Sequence, residues 1–230
     1  MTPSQPGGIV RIAAAGDAAL LLEFPQEISP AINARAIALA DVLRRRCGTA
    51  IRDAVVGYAT LTVYFDPLVV DAAWLEAEMS DAAAALEDLP DGTGAVIEVP
   101  VCYGGDFGPD LEDVASFGRC EADEVIALHA AGSYRVYMVG FVPGFAYMAS
   151  VDARIAAPRR SSPRTAVPPG SVAIAGGQTG IYPSATPGGW NIIGRTWLKL
   201  YDPDRPQPFL FRAGDTVRFR PVSRDDYERA

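Results

Sequence analysis

The sequence has 230 residues and a formal net charge of −8, with 49% hydrophobic and 21% charged residues. This length suits one large domain or two small ones with a substantial core, and the acidic charge excludes nucleic acid and anionic membranes as general partners. The N-terminus predicts no signal peptide, and no apolar run approaches the roughly 18 residues of a membrane span.

Cysteine and histidine are both scarce, which restricts metal and redox chemistry. The three cysteines, Cys47, Cys102 and Cys120, are far apart and show no CxxC spacing. They indicate a reducing, cytoplasmic setting and argue against a disulfide framework or a structural zinc site. With His129 as the single histidine, we expect no metal centre, and any Ser-His or Cys-His catalysis would have to use this residue.

The first part of the chain alternates pairs of strands with single helices. A helix begins at Ser29, a good N-cap, with Pro30 in its first turn and Gly48 as its C-terminal cap. Periodicity predicts strands at 9–15, 19–24, 50–58 and 60–65, and a second helix over 71–88. The order predicts an α+β domain at 1–90, a small sandwich of helices on an antiparallel sheet. The turn-rich LPDGTG at 89–94 marks its end.

The remainder, 91–230, predicts a second domain rich in short strands. A strand at 95–102 and a loop at 103–109 precede two helices, at about 109–117 and 121–131, which Gly118 and Gly132 close. A strand follows at 134–141, and from there short β segments alternate with Pro-Gly and Gly-Gly turns. Frequent turns between short strands indicate a barrel or a sandwich.

Basic residues are concentrated in one part of the second domain. Between Gly132 and Leu200 there are seven basic residues and one acid, Asp152. One loop holds the largest group: Arg154, Arg159, Arg160 and Arg164. Guanidinium groups on a proline-stiffened loop favour capture of a carboxylate or phosphate. The alternative is that these arginines form ion pairs with acids elsewhere in the fold.

Two further stretches could line a pocket. GFVPGFAYM at 140–148 presents Phe141, Pro143, Phe145 and Tyr147, which suit either a pocket wall or the barrel core. GGQTGIYPSATPGGW at 176–190 is glycine-rich without the spacing of a phosphate-binding loop. Its glycines permit close backbone approach to a ligand, or simply form tight turns. None of the serines lies in a GxSxG motif, so a hydrolase nucleophile is unsupported.

His129 is a candidate catalytic residue with a plain structural alternative. It lies in the predicted helix ADEVIALHAA, four residues after Val125 and on the same apolar face. That placement favours a packed, hydrogen-bonded structural histidine over a catalyst.

Several long segments, occurring in a fixed order, resemble one known family. They are EVPVCYGGDFGPDLEDVA at 98–115, YRVYMVGFVPGFAYM at 134–148, PRRSSPR at 158–164, VPPGSVAIAGGQTGIYP at 167–183 and TPGGWNIIGRT at 186–196. Together they are similar to the family of the B-type subunit of 5-oxoprolinase. That family also covers an inhibitor of a sporulation sensor histidine kinase, proteins labelled allophanate hydrolase subunit 1, and part of the carboxyltransferase region of urea carboxylase.

The resemblance implies a fold, a reaction and partners. The fold would be an N-terminal α+β domain followed by a cyclophilin-like β-barrel. The chain would be the B-type subunit of an ATP-dependent 5-oxoprolinase that opens 5-oxoproline to glutamate. It would be inactive without two partners, a larger C-type subunit of the same complex plus a separate A-type one. ATP, with or without Mg²⁺, would be bound by a partner or shared with one.

The same resemblance implies roles for particular residues. The small carboxylate substrate would meet Arg159, Arg160, Arg164 and Arg195, with Gln178, Thr179, Tyr182 and Trp190 lining the pocket. Phe141, Pro143, Phe145 and Tyr147 would form its wall. His129 matches a family position, which strengthens its candidacy as a catalytic residue. Prolyl isomerase activity does not follow from a cyclophilin-like barrel, because function depends on sites and not on folds.

Two other functions remain open from the sequence. The chain could be an inhibitor that docks on a sensor histidine kinase. It could also be part of a urea- or allophanate-type amidohydrolase or of a carboxyltransferase. The amidohydrolase is disfavoured because the serine- and lysine-rich signature of amidase-type enzymes is missing.

Overall fold

A computed structural model describes residues 9–86 and 94–230. The chain divides into two compact units between residues 93 and 94. The predicted boundary segment at 89–94 lies outside the described residues, apart from Gly94. The two units are called unit 1 and unit 2 below, and each is described by itself.

Unit 1 is a four-stranded antiparallel sheet with two helices packed against it. Its strands are β1 (Arg11–Ala14), β2 (Ala19–Glu23), β3 (Ile51–Val56) and β4 (Thr60–Phe65), in the spatial order β1-β2-β4-β3. Its helices are α1 (Pro30–Cys47) and α2 (Ala72–Ala84). Buried aliphatic side chains from the helices and the sheet, such as Leu22, Leu39, Leu61 and Leu75, form one core. These elements match the predicted order, although α2 ends before residue 88, and 87–88 lie outside the described residues.

Local signals account for the helix ends in unit 1. The Ser29 hydroxyl accepts a hydrogen bond from the Ile32 amide at 3.4 Å, and Pro30 occupies the first turn of α1. Gly48 follows α1 with a φ of 52°, a left-handed backbone that glycine adopts readily. The Asp71 carboxylate accepts a hydrogen bond from the Trp74 amide at 3.0 Å and so caps α2.

Unit 2 has more elements, and most of them are short strands. Its helices are α3 (Leu111–Gly118), α4 (Ala122–Ala131) and α5 (Arg224–Arg229). Its strands are β5 (Val96–Tyr103), β6 (Tyr134–Val139), β7 (Ala146–Ala149), β8 (Arg164–Val167), β9 (Ser171–Ala175), β10 (Gln178–Ile181), β11 (Thr186–Gly188), β12 (Asn191–Arg195) and β13 (Thr216–Pro221).

Seven strands of unit 2 close into a barrel, in the order β10-β7-β6-β13-β5-β12-β9, and β9 pairs back onto β10. The β5–β13 pair is parallel, with Val96 opposite Thr216 and Val101 opposite Pro221, and the other barrel pairs are antiparallel. Strands β8 and β11 form a separate two-stranded ribbon. The predicted α+β class and the barrel are therefore confirmed.

Of the two glycines that were predicted to cap helices, Gly132 does cap α4, its amide donating a hydrogen bond to the His129 carbonyl, whereas Gly118 does not cap α3. Helix α3 includes Gly118, and the left-handed capping position belongs to Arg119, with a φ of 53°. A Cβ on Gly118 would lie 2.6 Å from the Arg154 carbonyl oxygen. Gly132 follows α4 in an extended conformation, and a Cβ there would lie 2.3 Å from the Tyr134 ring. Both glycines are therefore needed for close packing, because any side chain would overlap a neighbour.

The barrel core continues into the layer formed by α3 and α4. Val114 of α3 and Val125 of α4 are fully buried in the same cluster as Val136, Ile174 and Val217 of the barrel strands. None of the helices within residues 9–86 and 94–230 is both long and apolar enough to cross a lipid bilayer.

Candidate functional site

Four aromatic side chains pack together in unit 2 and are called the aromatic cluster: Phe145, Tyr147, Tyr182 and Trp190. Phe145 lies at the centre, with ring-centroid distances of 4.8 Å to Tyr147, 5.3 Å to Tyr182 and 5.5 Å to Trp190. All three contacts are T-shaped, a geometry that the ring quadrupoles favour. Phe145, Tyr182 and Trp190 are buried and Tyr147 is half-buried, so the cluster is a packed surface with one accessible edge.

Strand alternation separates this cluster from the barrel core. Along β9, Val172 and Ile174 belong to the barrel core, whereas Ala173 and Ala175 pack with the aromatic cluster. Because successive side chains of a strand point to opposite faces, one strand serves both clusters. Phe145 and Tyr147 thus belong to a second cluster outside the barrel core, and their role as a pocket wall stays a prediction.

The glycine-rich stretch brings the aromatic rings close to the backbone. A Cβ on Gly188 would lie 2.4 Å from the Tyr182 hydroxyl, and a Cβ on Gly180 would lie 3.0 Å from the Phe145 ring. Larger residues at these positions would displace the rings. These two glycines therefore serve the packing of the aromatic cluster, a role that the sequence alone did not reveal.

Arg159 lies at the accessible edge of the aromatic cluster. Its guanidinium carbon is 5.9 Å from the centroid of the Trp190 ring, within the range of a cation–π contact. Among the described residues no carboxylate lies within ion-pair distance of Arg159, which is itself exposed. Burial raises the pKa of the Tyr147 and Tyr182 hydroxyls, and the nearby Arg159 charge acts against that rise. This edge therefore combines a free positive charge with aromatic surface.

The backbone on both sides of Arg159 is fixed against the segment that carries Trp190. The Asn191 side-chain amide donates a hydrogen bond to the Pro158 carbonyl at 2.8 Å. The Arg160 amide donates one to the Gly189 carbonyl, also at 2.8 Å. Residues 158–160 therefore lie alongside residues 189–191, and Arg159 is held opposite Trp190.

Arg160 and Arg164 both bind one buried carboxylate, an arrangement called the Asp110 clamp. Asp110 accepts hydrogen bonds from Arg160 Nη1 at 2.5 Å and from Arg164 Nη1 and Nη2 at 2.7 and 2.8 Å. Its Oδ2 also accepts the Ile192 amide at 2.7 Å. Asp110 is 1% exposed, so this carboxylate is solvated by the protein alone. The hydrogen bonds to Asp110 raise the pKa of the Arg164 guanidinium.

The clamp corrects the expectation that Arg160 and Arg164 are available for an external anion. Both guanidinium groups are directed at Asp110, and Arg160 also lies 3.6 Å from the exposed Asp113 carboxylate. Arg154, the other member of the loop, pairs with Glu124 and Asp152. For these three arginines the alternative interpretation, ion pairs with acids elsewhere in the fold, describes the observed contacts, although Arg154 also pairs with the local Asp152.

Arg195 is not part of this arrangement. Its guanidinium carbon lies 5.6 Å from the centroid of the Phe107 ring, where Arg224 also stacks. Its Nε is buried and has no hydrogen-bond partner among the described residues. An anion site shared by the four predicted arginines would require Arg195 to lie beside Arg159. The structure instead places the two against different aromatic rings, Phe107 and Trp190.

The remaining predicted pocket residues lie in different surroundings. Phe141 is 64% exposed with a φ of 72°, and its ring lies 5.9 Å from Phe145 at the border of the cluster. Pro143 is exposed and Gln178 is half-buried. Thr179 is fully buried and contacts His129 instead of the aromatic cluster.

His129 is fully buried, and hydrogen bonds occupy both ring nitrogens. The Thr179 hydroxyl donates to the Ala173 carbonyl at 3.0 Å, so its oxygen accepts the proton on His129 Nε2 at 2.9 Å. His129 Nδ1 then accepts the Tyr103 hydroxyl at 2.8 Å. The ring also stacks on Phe219 at 4.4 Å. This geometry matches the packed structural histidine that the sequence favoured and gives no support to catalysis.

Acid should destabilise the fold through His129. Burial lowers its pKa from the usual 6.5 to about 3. Below pH 6.5 the unfolded chain therefore binds a proton that the folded chain excludes, and stability falls as the pH decreases towards 3. We expect a loss of about 2 kcal/mol between pH 7 and pH 5 from this residue alone. Urea unfolding gives the free energy of unfolding of the wild type and of His129→Gln at pH 7 and pH 5. The wild type should lose more stability than the variant, and equal losses would contradict the prediction.

Sequence reasoning missed two residues that build this region, Asp110 and Asn191. Asp110 lies just before α3, and its arginine partners are 50 and 54 residues away. The signal that could have indicated Asp110 was the lack of acids around the arginine loop. Guanidinium groups that become buried require carboxylate partners, and here these had to come from elsewhere in the chain.

Comparisons with known proteins agree on a single family. Residues 10–211 match the family model described as "Carboxyltransferase domain, subdomain C and D". A Bacillus subtilis protein, named as the B-type subunit of 5-oxoprolinase, is 40% identical over 222 residues, which cover 92% of each chain.

Two solved structures share the fold. That of TTHA0988 is 40% identical, with a TM-score of 0.79, and covers 89% of this chain but only 40% of its own. The chain thus spans two fifths of that protein. Urea carboxylase from Kluyveromyces lactis is 19% identical with a TM-score of 0.77, covers 97% of this chain and 24% of its own, and supports the fold alone.

Proposed function

This chain belongs to the family of the B-type subunit of 5-oxoprolinase, and we propose from that premise that it is one component of an ATP-dependent complex opening 5-oxoproline to glutamate. Its partners would be the larger C-type subunit together with a separate A-type one. The observation that carries the proposal is the juxtaposition of Arg159 with Trp190 at the edge of the aromatic cluster. A free guanidinium beside aromatic rings suits a small cyclic amide that bears a carboxylate.

The two parts of this site complement the two parts of 5-oxoproline. The Arg159 guanidinium offers the substrate carboxylate two parallel N–H donors, the strongest geometry for such a pair. The aromatic cluster offers the five-membered ring an apolar surface, and half-buried Tyr147 forms part of its accessible edge. In this role the chain binds and orients the lactam, which lowers the entropic barrier to attack by water.

Opening an amide also requires activation of its carbonyl, which ATP would supply by phosphorylation. The residues at this site do not fit a nucleoside triphosphate, because they offer one unpaired guanidinium and no phosphate-binding loop. Within residues 9–86 and 94–230, moreover, no three His, Cys, Asp or Glu side chains gather as ligands for a metal ion. In this proposal the partner subunits therefore bind the nucleotide or complete its site, and the active centre lies at an interface between subunits.

Reconstitution tests the proposal directly. Glutamate release from 5-oxoproline and ATP is measured with this chain alone, with the larger partner, and with both partners. We expect turnover only when this chain and its partners are combined. Turnover that persists without this chain, or no turnover from folded, co-purified subunits, would contradict the proposal. In the second case a kinase-inhibitor or urea-type function would become the better interpretation.

Within the active complex, Arg159→Ala should raise the KM for 5-oxoproline roughly 10- to 100-fold, because a charge-assisted hydrogen bond to the carboxylate is lost. Arg154→Ala is the matched control, since Arg154 is also exposed but is paired with Glu124 and Asp152. Equal KM values for the two variants would remove the assignment of Arg159.

A further inference from the structure

The geometry points to Asp110 as a positioning residue for the proposed substrate site, an inference that rests on the function proposed above. Asp110 holds the loop that carries Arg159 in register with the segment that carries Trp190. In this way it sets the affinity for the substrate carboxylate without contacting the substrate.

The two carboxylate oxygens of Asp110 bind two different segments of the chain. One carboxylate oxygen binds the side chain of Arg160, the residue after Arg159. The other binds the amide of Ile192, two residues after Trp190. A single buried group therefore connects both segments that meet in the Arg159–Trp190 contact.

The loop 158–164 is also anchored to Asp110 at its far end. Arg164 donates two hydrogen bonds to Asp110, so the loop 158–164 is attached to this carboxylate by two of its side chains. Asp110 itself belongs to neither segment, since it directly precedes α3. Helix α3 is packed into the barrel core through Val114 and Ala115, and it provides a rigid reference for the loop.

Asp110 has no direct role in binding the substrate. Asp110 is 1% exposed, and both of its oxygens already accept hydrogen bonds. A carboxylate would also repel a carboxylate substrate. Any effect of Asp110 on affinity must therefore act through the position of another group, and Arg159 is the neighbouring cation without an acid partner among the described residues.

The test uses Asp110→Asn, which keeps the size of the side chain and an acceptor for the Ile192 amide but removes the charge. In the assembled complex we expect the KM for 5-oxoproline to rise roughly 10- to 100-fold with kcat little changed, as for a misplaced binding group. Glu98→Gln is the matched control, because it neutralises the exposed carboxylate of the Glu98–Arg220 pair in the same unit. An unchanged KM in the folded Asp110→Asn complex would overturn the inference.

A double variant separates positioning from general destabilisation. If Asp110 acts through Arg159, adding Asp110→Asn to Arg159→Ala should leave the KM at the value of Arg159→Ala alone. Effects that multiply would show that Asp110 acts independently of Arg159, which also overturns the inference. Should Asp110→Asn fail to fold, Arg160→Gln removes the link next to Arg159 while Arg164 keeps Asp110 paired, and the same results are expected of it.

A second readout does not depend on turnover. In the ¹⁵N-labelled chain the indole N–H signal of Trp190, assigned with Trp190→Phe, should shift in Asp110→Asn and stay in place in Glu98→Gln. The signals of Trp74 and Trp197 serve as internal references. Absence of turnover from the wild-type complex would refute the proposed function, whereas an unmoved Trp190 signal in Asp110→Asn would refute the positioning role.

Discussion

Replacing Asp110 by alanine should lower the free energy of unfolding of unit 2 by about 3 kcal/mol, because breaking a buried ion pair leaves the partner charges uncompensated. Two guanidinium groups and the Ile192 amide would lose their acceptor. The loss lies at the lower end of the usual range because the Arg160 and Arg164 side chains are 31% and 26% exposed and regain some hydration. Urea unfolding in a Trp74→Phe background measures it, since the remaining tryptophans belong to unit 2.

The control for this experiment is Glu98→Ala. Glu98 also pairs with an arginine of unit 2, but its side chain is 63% exposed. Exposed pairs contribute at most about 1 kcal/mol, so the two variants should differ clearly. Similar losses would mean that the buried clamp stabilises unit 2 no more than a surface ion pair does.

Replacing Phe145 by alanine should have an even larger effect, a loss of about 4 kcal/mol in the free energy of unfolding. Phe145 is 2% exposed and contacts all three other members of the aromatic cluster. Its removal would leave a cavity in the middle of the cluster, and the same urea titration measures the loss.

Phe141 provides the comparison within the same cluster. Its ring touches Phe145 but is 64% exposed, so Phe141→Ala should change stability by no more than about 0.5 kcal/mol. Both alanine variants lose the same side chain, so the difference isolates burial. A loss below about 1 kcal/mol for Phe145→Ala would contradict the central packing of this ring.

The elements of the fold that local chemistry specifies were predictable from the sequence. Ser29 and Pro30 begin α1 and Gly48 ends it, because caps act over three or four residues and leave a readable pattern. Gly118 shows the limit of this reasoning. It was predicted to cap α3, but the cap is Arg119, and the Arg154 carbonyl that requires a glycine at position 118 makes a tertiary contact that no local pattern contains.

The candidate site was predictable in some of its residues but not in their pairing. The sequence identified Arg159, Phe145, Tyr182 and Trp190, and the structure brings them together. It could not separate Arg159 from Arg160 and Arg164, because the difference is made by Asp110, which is more than forty residues earlier in the chain. A charge count shows that acids are missing locally, but not which distant acid supplies the pairing.

The parallel pairing of β5 with β13 has a consequence for synthesis of the protein. Barrel closure joins the first strand of unit 2 to its last strand. Residues 96–101 therefore cannot form this pair until residues 216–221 have been synthesised. On the ribosome the nascent unit exposes open strand edges until residues 216–221 have emerged, and such edges invite aggregation. Rapid translation of the stretch between β5 and β13, or protection by a chaperone, should therefore increase the yield of folded protein in the cell.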